Sequence, residues 1–76
     1  MIEFIVINKG KALPQFNGLR GKAKFSREMI DVVLDNGFKT CVHHSNLLKF
    51  YEVVDQNEFL AARTQWEQDG PSGRMQ

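Results

Sequence analysis

The segment from Ile30 to His44 constrains the fold more than any other part of the chain, because its residues alternate as in a β-hairpin. The turn-forming residues 35–37, Asp-Asn-Gly, divide this segment into two strands. A two-residue turn would pair Leu34 with Lys39, whereas a three-residue loop with the glycine as a bulge residue pairs Leu34 with Phe38. Only the second register collects the apolar side chains on one face, so we expect that register.

Three further segments have the pattern of short β-strands. Residues 2–7 form a β-branched run that is apolar on both faces, so an element outside the sheet has to cover it. Residues 22–26 alternate between small or aromatic side chains and lysines, which predicts a half-buried strand with a basic outer face. Residues 45–49 predict a single helical turn, and residues 50–54 predict a fifth strand.

The last predicted element is a helix over about residues 56–69. Asp55 followed by Glu58 has the spacing of a capping box, and Asn57 is an alternative N-cap. A Gly-Pro pair ends the helix, and we expect the remaining residues, 70–76, to form a flexible tail.

One side of this helix is apolar. Phe59, Ala62 and Trp66 follow one another at helical spacing and form a single stripe. The stripe can cover the apolar strand at residues 2–7, so we expect the helix to pack on the sheet as part of one domain over residues 1–69.

The length and composition exclude several classes of protein. A chain of 76 residues allows one domain, and no stretch approaches the about 20 apolar residues of a membrane span. The chain has one cysteine, so it forms no internal disulfide, and we expect a reducing, cytoplasmic location without a membrane partner. The small size argues against an enzyme, so we expect no catalytic residues and no cofactor.

Three neighbouring side chains raise the question of a metal site. Cys41 and His43 share one strand face, and His44 follows them. Two ligands do not complete a zinc site, and the sequence has no second pair of cysteines or histidines. We therefore expect no metal and interpret this segment as a solvated strand face.

The order of the elements and three motifs resembles the KOW-type and related SH3-like small barrels. The motifs are L-P-x-F-N-G-x-x-G at residues 13–21, V-L-D-x-G at residues 33–37 and V-x-x-x-N-L at residues 42–47. The resemblance covers residues 1–55 and implies a mainly β fold, a five-stranded SH3-like barrel. The C-terminal α-helix is not part of the usual barrel, and we expect it to pack on the barrel because of its apolar stripe. It also implies binding rather than catalysis, because KOW-type modules serve proteins that touch RNA, DNA, ribosomes or RNA polymerase, and other SH3-like barrels bind peptides.

The charge is divided unevenly along the chain. Residues 1–27 carry six basic residues against one acidic residue, whereas residues 28–76 carry four basic residues against eight acidic ones. Such a division favours an anionic partner for the basic half. The candidate binding residues are the cations of the long loop and second strand with two nearby aromatic residues: Lys9, Lys11, Phe16, Arg20, Lys22, Lys24 and Tyr51.

Two interpretations of the function remain open. The first is a small non-catalytic module that associates with nucleic acid, or with a transcription or translation complex, through a basic loop and strand face. The second is a protein-binding adaptor or small inhibitor that holds its partner in a groove lined by Phe16 and Tyr51. For each candidate residue a purely structural role is the alternative: the lysines form the wet face of a strand, and Phe16 closes one end of the core.

Overall fold

Five short strands and two helices follow one another along residues 2–69, the part of the chain that the computed structural model describes. The strands are β1 (Phe4–Asn8), β2 (Arg20–Ser26), β3 (Met29–Leu34), β4 (Lys39–His43) and β5 (Tyr51–Val53). The helices are α1 (Leu47–Phe50) and α2 (Gln56–Asp69), and short 3-10 turns occupy Pro14–Phe16 and His44–Asn46. The predicted flexible tail at residues 70–76 lies outside the described residues.

All five strands belong to one antiparallel sheet, in the order β4-β3-β2-β1-β5. This arrangement confirms a mainly β fold of five strands with a C-terminal helix. The strand pairing leaves β4 and β5 as the two edges of an open sheet and does not itself join them into a closed barrel.

The hairpin of β3 and β4 has the three-residue loop and the predicted register. The amide of Leu34 donates a hydrogen bond to the carbonyl of Phe38 over 2.9 Å, and Val32 lies opposite Thr40. Gly37 has a φ of +89°, a backbone conformation that glycine adopts without steric cost. Burial of one apolar face therefore selected this register over the two-residue Asn-Gly turn.

The two faces of the sheet differ in burial, and we call them the inner and the outer face. The inner face carries the apolar core, to which the strands contribute Phe4, Val6, Ala23, Phe25, Ile30, Val32, Leu34, Val42, Tyr51 and Val53. On the outer face of β1, Ile5 and Ile7 are only half-buried. The sequence predicted that other elements would cover both faces of this strand, and the structure shows burial of the inner face alone.

Helix α2 occupies the predicted residues, and Asp55 caps its N-terminus. The Asp55 carboxylate accepts hydrogen bonds from the amides of Asn57, at 2.9 Å, and Glu58, at 3.3 Å. The Glu58 carboxylate does not complete a capping box; it accepts a hydrogen bond from the amide of Ile5, at 3.4 Å. The first turn of the helix is thereby fastened to β1 as well as to its own cap.

The apolar stripe of α2 packs on the inner face over β1 and β2. The ring of Phe59 meets Phe4 edge-on, with 5.2 Å between ring centroids, and Trp66 stacks on Phe25 at 4.7 Å. The Trp66 indole N–H also donates a hydrogen bond to the carbonyl of Arg27, in the turn between β2 and β3. Trp66 therefore lies on β2 and the β2–β3 turn, whereas the sequence expectation placed it on the first strand.

We predict that Trp66→Ala lowers the free energy of unfolding by about 3–5 kcal/mol, because it removes a buried ring and leaves a cavity. Leu60→Ala in the same helix is the matched control, since Leu60 is 52% exposed and its loss is expected to cost about 0.5 kcal/mol or less. Urea denaturation of both variants measures the difference. Equal stability of the two variants would show that the helix does not contribute to the core.

Candidate binding surfaces

Four cations project from the outer face of the sheet and form what we call the outer basic face: Arg20, Lys22, Lys24 and Lys39. The first three alternate along β2 with buried inner-face residues, so all three point outward and are exposed. Lys22 lies opposite Val33 on β3, and Val33 lies opposite Lys39 on β4. Strand pairing thus adds Lys39 to the predicted cations. In the sequence, Lys39 belongs to residues 28–76, the half of the chain with an excess of acidic residues.

The surroundings of the outer basic face are aliphatic and partly acidic. Lys22 lies between Ile5 and Val33, whereas Lys24 is paired in register with Asp31. Within residues 2–69 the ion pair found is that of Arg63 with Glu67 on α2, so the four cations of this face make no close contact with a carboxylate. Their ammonium and guanidinium groups remain available to an anionic partner.

The long loop places the two other predicted lysines differently. The Lys9 ammonium donates a hydrogen bond of 2.7 Å to the carbonyl of Leu48. The backbone amide of Lys9 donates a hydrogen bond to the carbonyl of Phe50. These bonds tie the start of the loop to α1, whose carbonyls lack partners within so short a helix. Lys11 lies exposed on the loop itself.

Asn8 shapes this loop, although it is not among the residues that the sequence pattern indicated. Its side chain is 2% exposed; the amide donates to the carbonyl of Leu13, and the oxygen accepts from the amide of Gly10. The Asn8 backbone bonds to Leu19 and Gly18 at the far end of the loop. The sequence signal was present, because a polar residue ends an apolar strand directly before turn-forming residues.

Phe16 lies at one end of the inner face rather than among the cations. Its ring is half-buried against the core and packs on Phe38, with 5.0 Å between centroids. Phe38 is itself 40% exposed, so the two rings form a partly exposed aromatic pair beside the hairpin loop.

Tyr51 lies in the core. Its side chain is 4% exposed, so it is a core residue and not an exposed wall of a groove. Burial raises the pKa of the Tyr51 hydroxyl above its ordinary value of 10.0, and the charge of the Cys41 thiolate raises this pKa further.

A groove of about 470 Å³ lies between α2 and the segment that joins β4 to β5, and we call it the helix groove. Its apolar and aromatic lining residues are Phe25, Ile30, Leu47, Leu48, Phe59 and Trp66. Its four polar lining residues are His44, Ser45, Arg63 and Glu67. A volume and lining of this kind are typical of ligand and peptide-anchor sites. The sequence indicated its aromatic stripe on α2, whereas the opposite wall comes from the distant residues 44–48.

Cys41, His43 and His44 do not form a metal centre with other side chains. Within the described residues 2–69, no group of three histidine, cysteine or acidic side chains is arranged to hold a metal ion. Cys41 is an exposed free thiol, and the Nδ1 atom of His43 lies 2.8 Å from the Ser45 hydroxyl. The His44 ring packs on His43 and on Trp66, so it belongs to the aromatic cluster of the inner face.

Comparison of the chain with protein-family models, with curated proteins and with solved structures found no match. Among residues 2–69, neither helix has the length and the apolar composition needed to cross a membrane. The candidate surfaces therefore rest on the geometry of this chain alone.

We predict that the protein loses stability above pH 10. The folded state holds the Tyr51 proton more tightly than the unfolded state, and this difference stabilises the fold. The stabilisation is complete below the pKa that Tyr51 has in the unfolded state. It is lost as the pH rises through the raised pKa of Tyr51 in the folded state. Tyr51 is the only tyrosine, so tyrosinate absorbance measures its pKa directly. Cys41→Ser should lower that pKa slightly, and Tyr51→Phe should weaken the alkaline loss of stability. An unshifted tyrosinate titration would contradict the prediction.

Proposed function

We propose that the protein is a small non-catalytic binding module that holds nucleic acid through the outer basic face. The observation that carries this proposal is the alignment of Arg20, Lys22 and Lys24 on one exposed strand face, with Lys39 in the same cross-strand row as Lys22. Successive outward residues of a strand are about 6.7 Å apart, so these cations form a regular row. A row of unpaired cations suits a polyphosphate backbone, the main source of affinity in nucleic-acid binding.

We further propose that the sheet belongs to the SH3-like class. The order β4-β3-β2-β1-β5, with a helical turn before β5, supports this assignment. Gly21 supports a bent β2, because a Cβ atom there would lie 2.8 Å from the Val33 carbonyl oxygen.

We predict that Lys22→Gln combined with Lys24→Gln makes the dependence of log affinity on log salt less steep by about 0.7–0.9 for each lysine removed. Glutamine is preferred to glutamate, because a new acid at position 24 would oppose Asp31 across the strands. A salt series with a mixed-sequence nucleic acid, followed by fluorescence anisotropy, measures the slope.

The control for this experiment is Lys49→Gln combined with Arg63→Gln, which removes the same charge from α1 and α2. Neither residue lies on the outer basic face, so the slope should remain that of the wild type. Equal slopes for the two double variants would refute a specific role of the outer basic face. Absence of binding by the wild type at low salt would refute the nucleic-acid function.

The helix groove supports a second candidate function, the binding of a protein partner. Its open lining of aromatic and aliphatic side chains fits an apolar anchor side chain, and Arg63 and Glu67 at its side offer charges of both signs. Leu48, which lines the groove, is 57% exposed and has the exposure of a contact residue rather than of a core residue.

We predict that peptides selected from a random displayed library against the protein change the fluorescence of Trp66, because this residue lines the groove and is the only tryptophan. Leu48→Glu should abolish their binding, since it places a charge in an apolar site. Leu60→Glu is the matched control: Leu60 is similarly exposed and does not line the groove, so binding should persist. Selected peptides that bind both variants equally would exclude the groove as the site.

A further inference from the structure

We infer that the nucleic acid held by the outer basic face is double-stranded DNA, bound through its phosphates without base stacking. This inference rests on the proposed function and specifies the ligand of the same site. It depends on which side chains share the outer face, on the width of the charged patch and on the hydrogen-bonding groups that this face offers.

The aromatic side chains of the described residues lie away from the outer face. Phe4, Phe25, Phe59 and Trp66 pack together between α2 and the inner face. The remaining four are Phe16 and Phe38, which pack on each other, Phe50, which packs against the core, and Tyr51, which is buried. His43, whose strand position is on the outer face, places its ring on His44.

A single strand needs the side chains that this face lacks. Proteins that bind single-stranded nucleic acid combine cations with aromatic rings on which the bases stack. A duplex keeps its bases stacked internally and presents its phosphates, at a density of about one charge per 1.7 Å of axis. The neighbours of these cations are aliphatic Ile5, Ile7 and Val33, which offer no ring on which a base can stack. The outer basic face is therefore suited to the phosphates of a duplex and not to the bases of a single strand.

The dimensions of the patch also suit a duplex. Arg20 and Lys24 are four residues apart on one strand, which is about 13 Å, and Lys39 lies two strands from Lys22, which is about 10 Å. A patch of this width is broader than the minor groove of DNA, which is about 6 Å wide. The cations of β2 and of β4 can therefore contact phosphates of both strands across that groove.

The hydrogen-bonding groups favour DNA over RNA. A protein distinguishes RNA from DNA through hydrogen bonds to the 2′-hydroxyl groups, which both donate and accept. The outward strand positions of β2 and β3 carry cations, Asp31, Met29 and Val33, with Ser26 as the hydroxyl among them. These two strands thus offer mainly cations, which suit phosphates, and Ser26 is their one outward hydroxyl. On β4 the outward positions add Cys41 and His43, and the Nδ1 atom of His43 lies beside the Ser45 hydroxyl.

The experiment measures binding of one mixed sequence, prepared as duplex DNA, duplex RNA and single-stranded DNA, by fluorescence anisotropy over a salt series. We expect duplex DNA to bind at least as tightly as duplex RNA and more tightly than the single strand. The expected slope for duplex DNA is about −2.7 to −3.6, for three to four phosphate contacts. Lys39→Gln should make it less steep by about 0.9, whereas Lys49→Gln and Phe16→Ala should leave it unchanged.

The possible outcomes separate the inference from the proposed function. Tighter binding of the single strand, or loss of binding in Phe16→Ala, would overturn the inference and leave a nucleic-acid function in place. Tighter binding of duplex RNA would likewise overturn the assignment to DNA. Failure of all three ligands to bind at low salt would refute the proposed function itself, and the inference with it.

Discussion

The packing of Trp66 on Phe25 is the contact on which the rest of the structure depends. It joins the last helix to the middle strand of the sheet, and the hydrogen bond from the indole to the Arg27 carbonyl fixes the β2–β3 turn beneath the helix. A tryptophan buries about 150–250 Å², which at about 25 cal/mol per Å² corresponds to roughly 4–6 kcal/mol. Domains are stable by only about 5–15 kcal/mol, so this one side chain supplies a large share of the margin.

This packing also decides which face of the sheet is available to a ligand. Helices α1 and α2 both lie on the inner face, where Leu47, Ala62 and Trp66 complete the core. The outer face carries its half-buried aliphatic residues and exposed cations without such a cover among the described residues. A sheet with one apolar and one solvated face presents its charges on the solvated side. Here the strands place four cations on that side, together with the carboxylates of Asp31 and Glu52.

The two candidate surfaces are structurally independent. The outer basic face lies on one side of the sheet, and the helix groove lies between elements packed on the other side. Substitutions at well-separated sites without shared partners usually act additively, so each surface can be altered while the other is left intact. The connection between them is the sheet itself, through Phe25, whose strand also carries Lys22 and Lys24.

The local elements of this protein could be predicted from its sequence. The hairpin register, the capped helix at residues 56–69 and the alternation of residues 22–26 follow from turn chemistry and from hydrophobic periods of two and 3.6 residues. Each of these signals lies within a few neighbouring residues, which is why the sequence was sufficient for them. The predicted fold class was confirmed to the level of a mainly β sheet with a C-terminal helix.

The composition of the surfaces was decided only by the tertiary structure. Strand pairing brought Lys39 into the row of Lys22, and core packing enclosed Tyr51 and placed Phe16 on Phe38. The helix groove likewise needs residues 44–48 and α2, which are distant in the sequence. Periodicity assigns a residue to one face of its own element. Which elements become neighbours depends on how the whole chain buries its apolar area, and local sequence does not specify that arrangement.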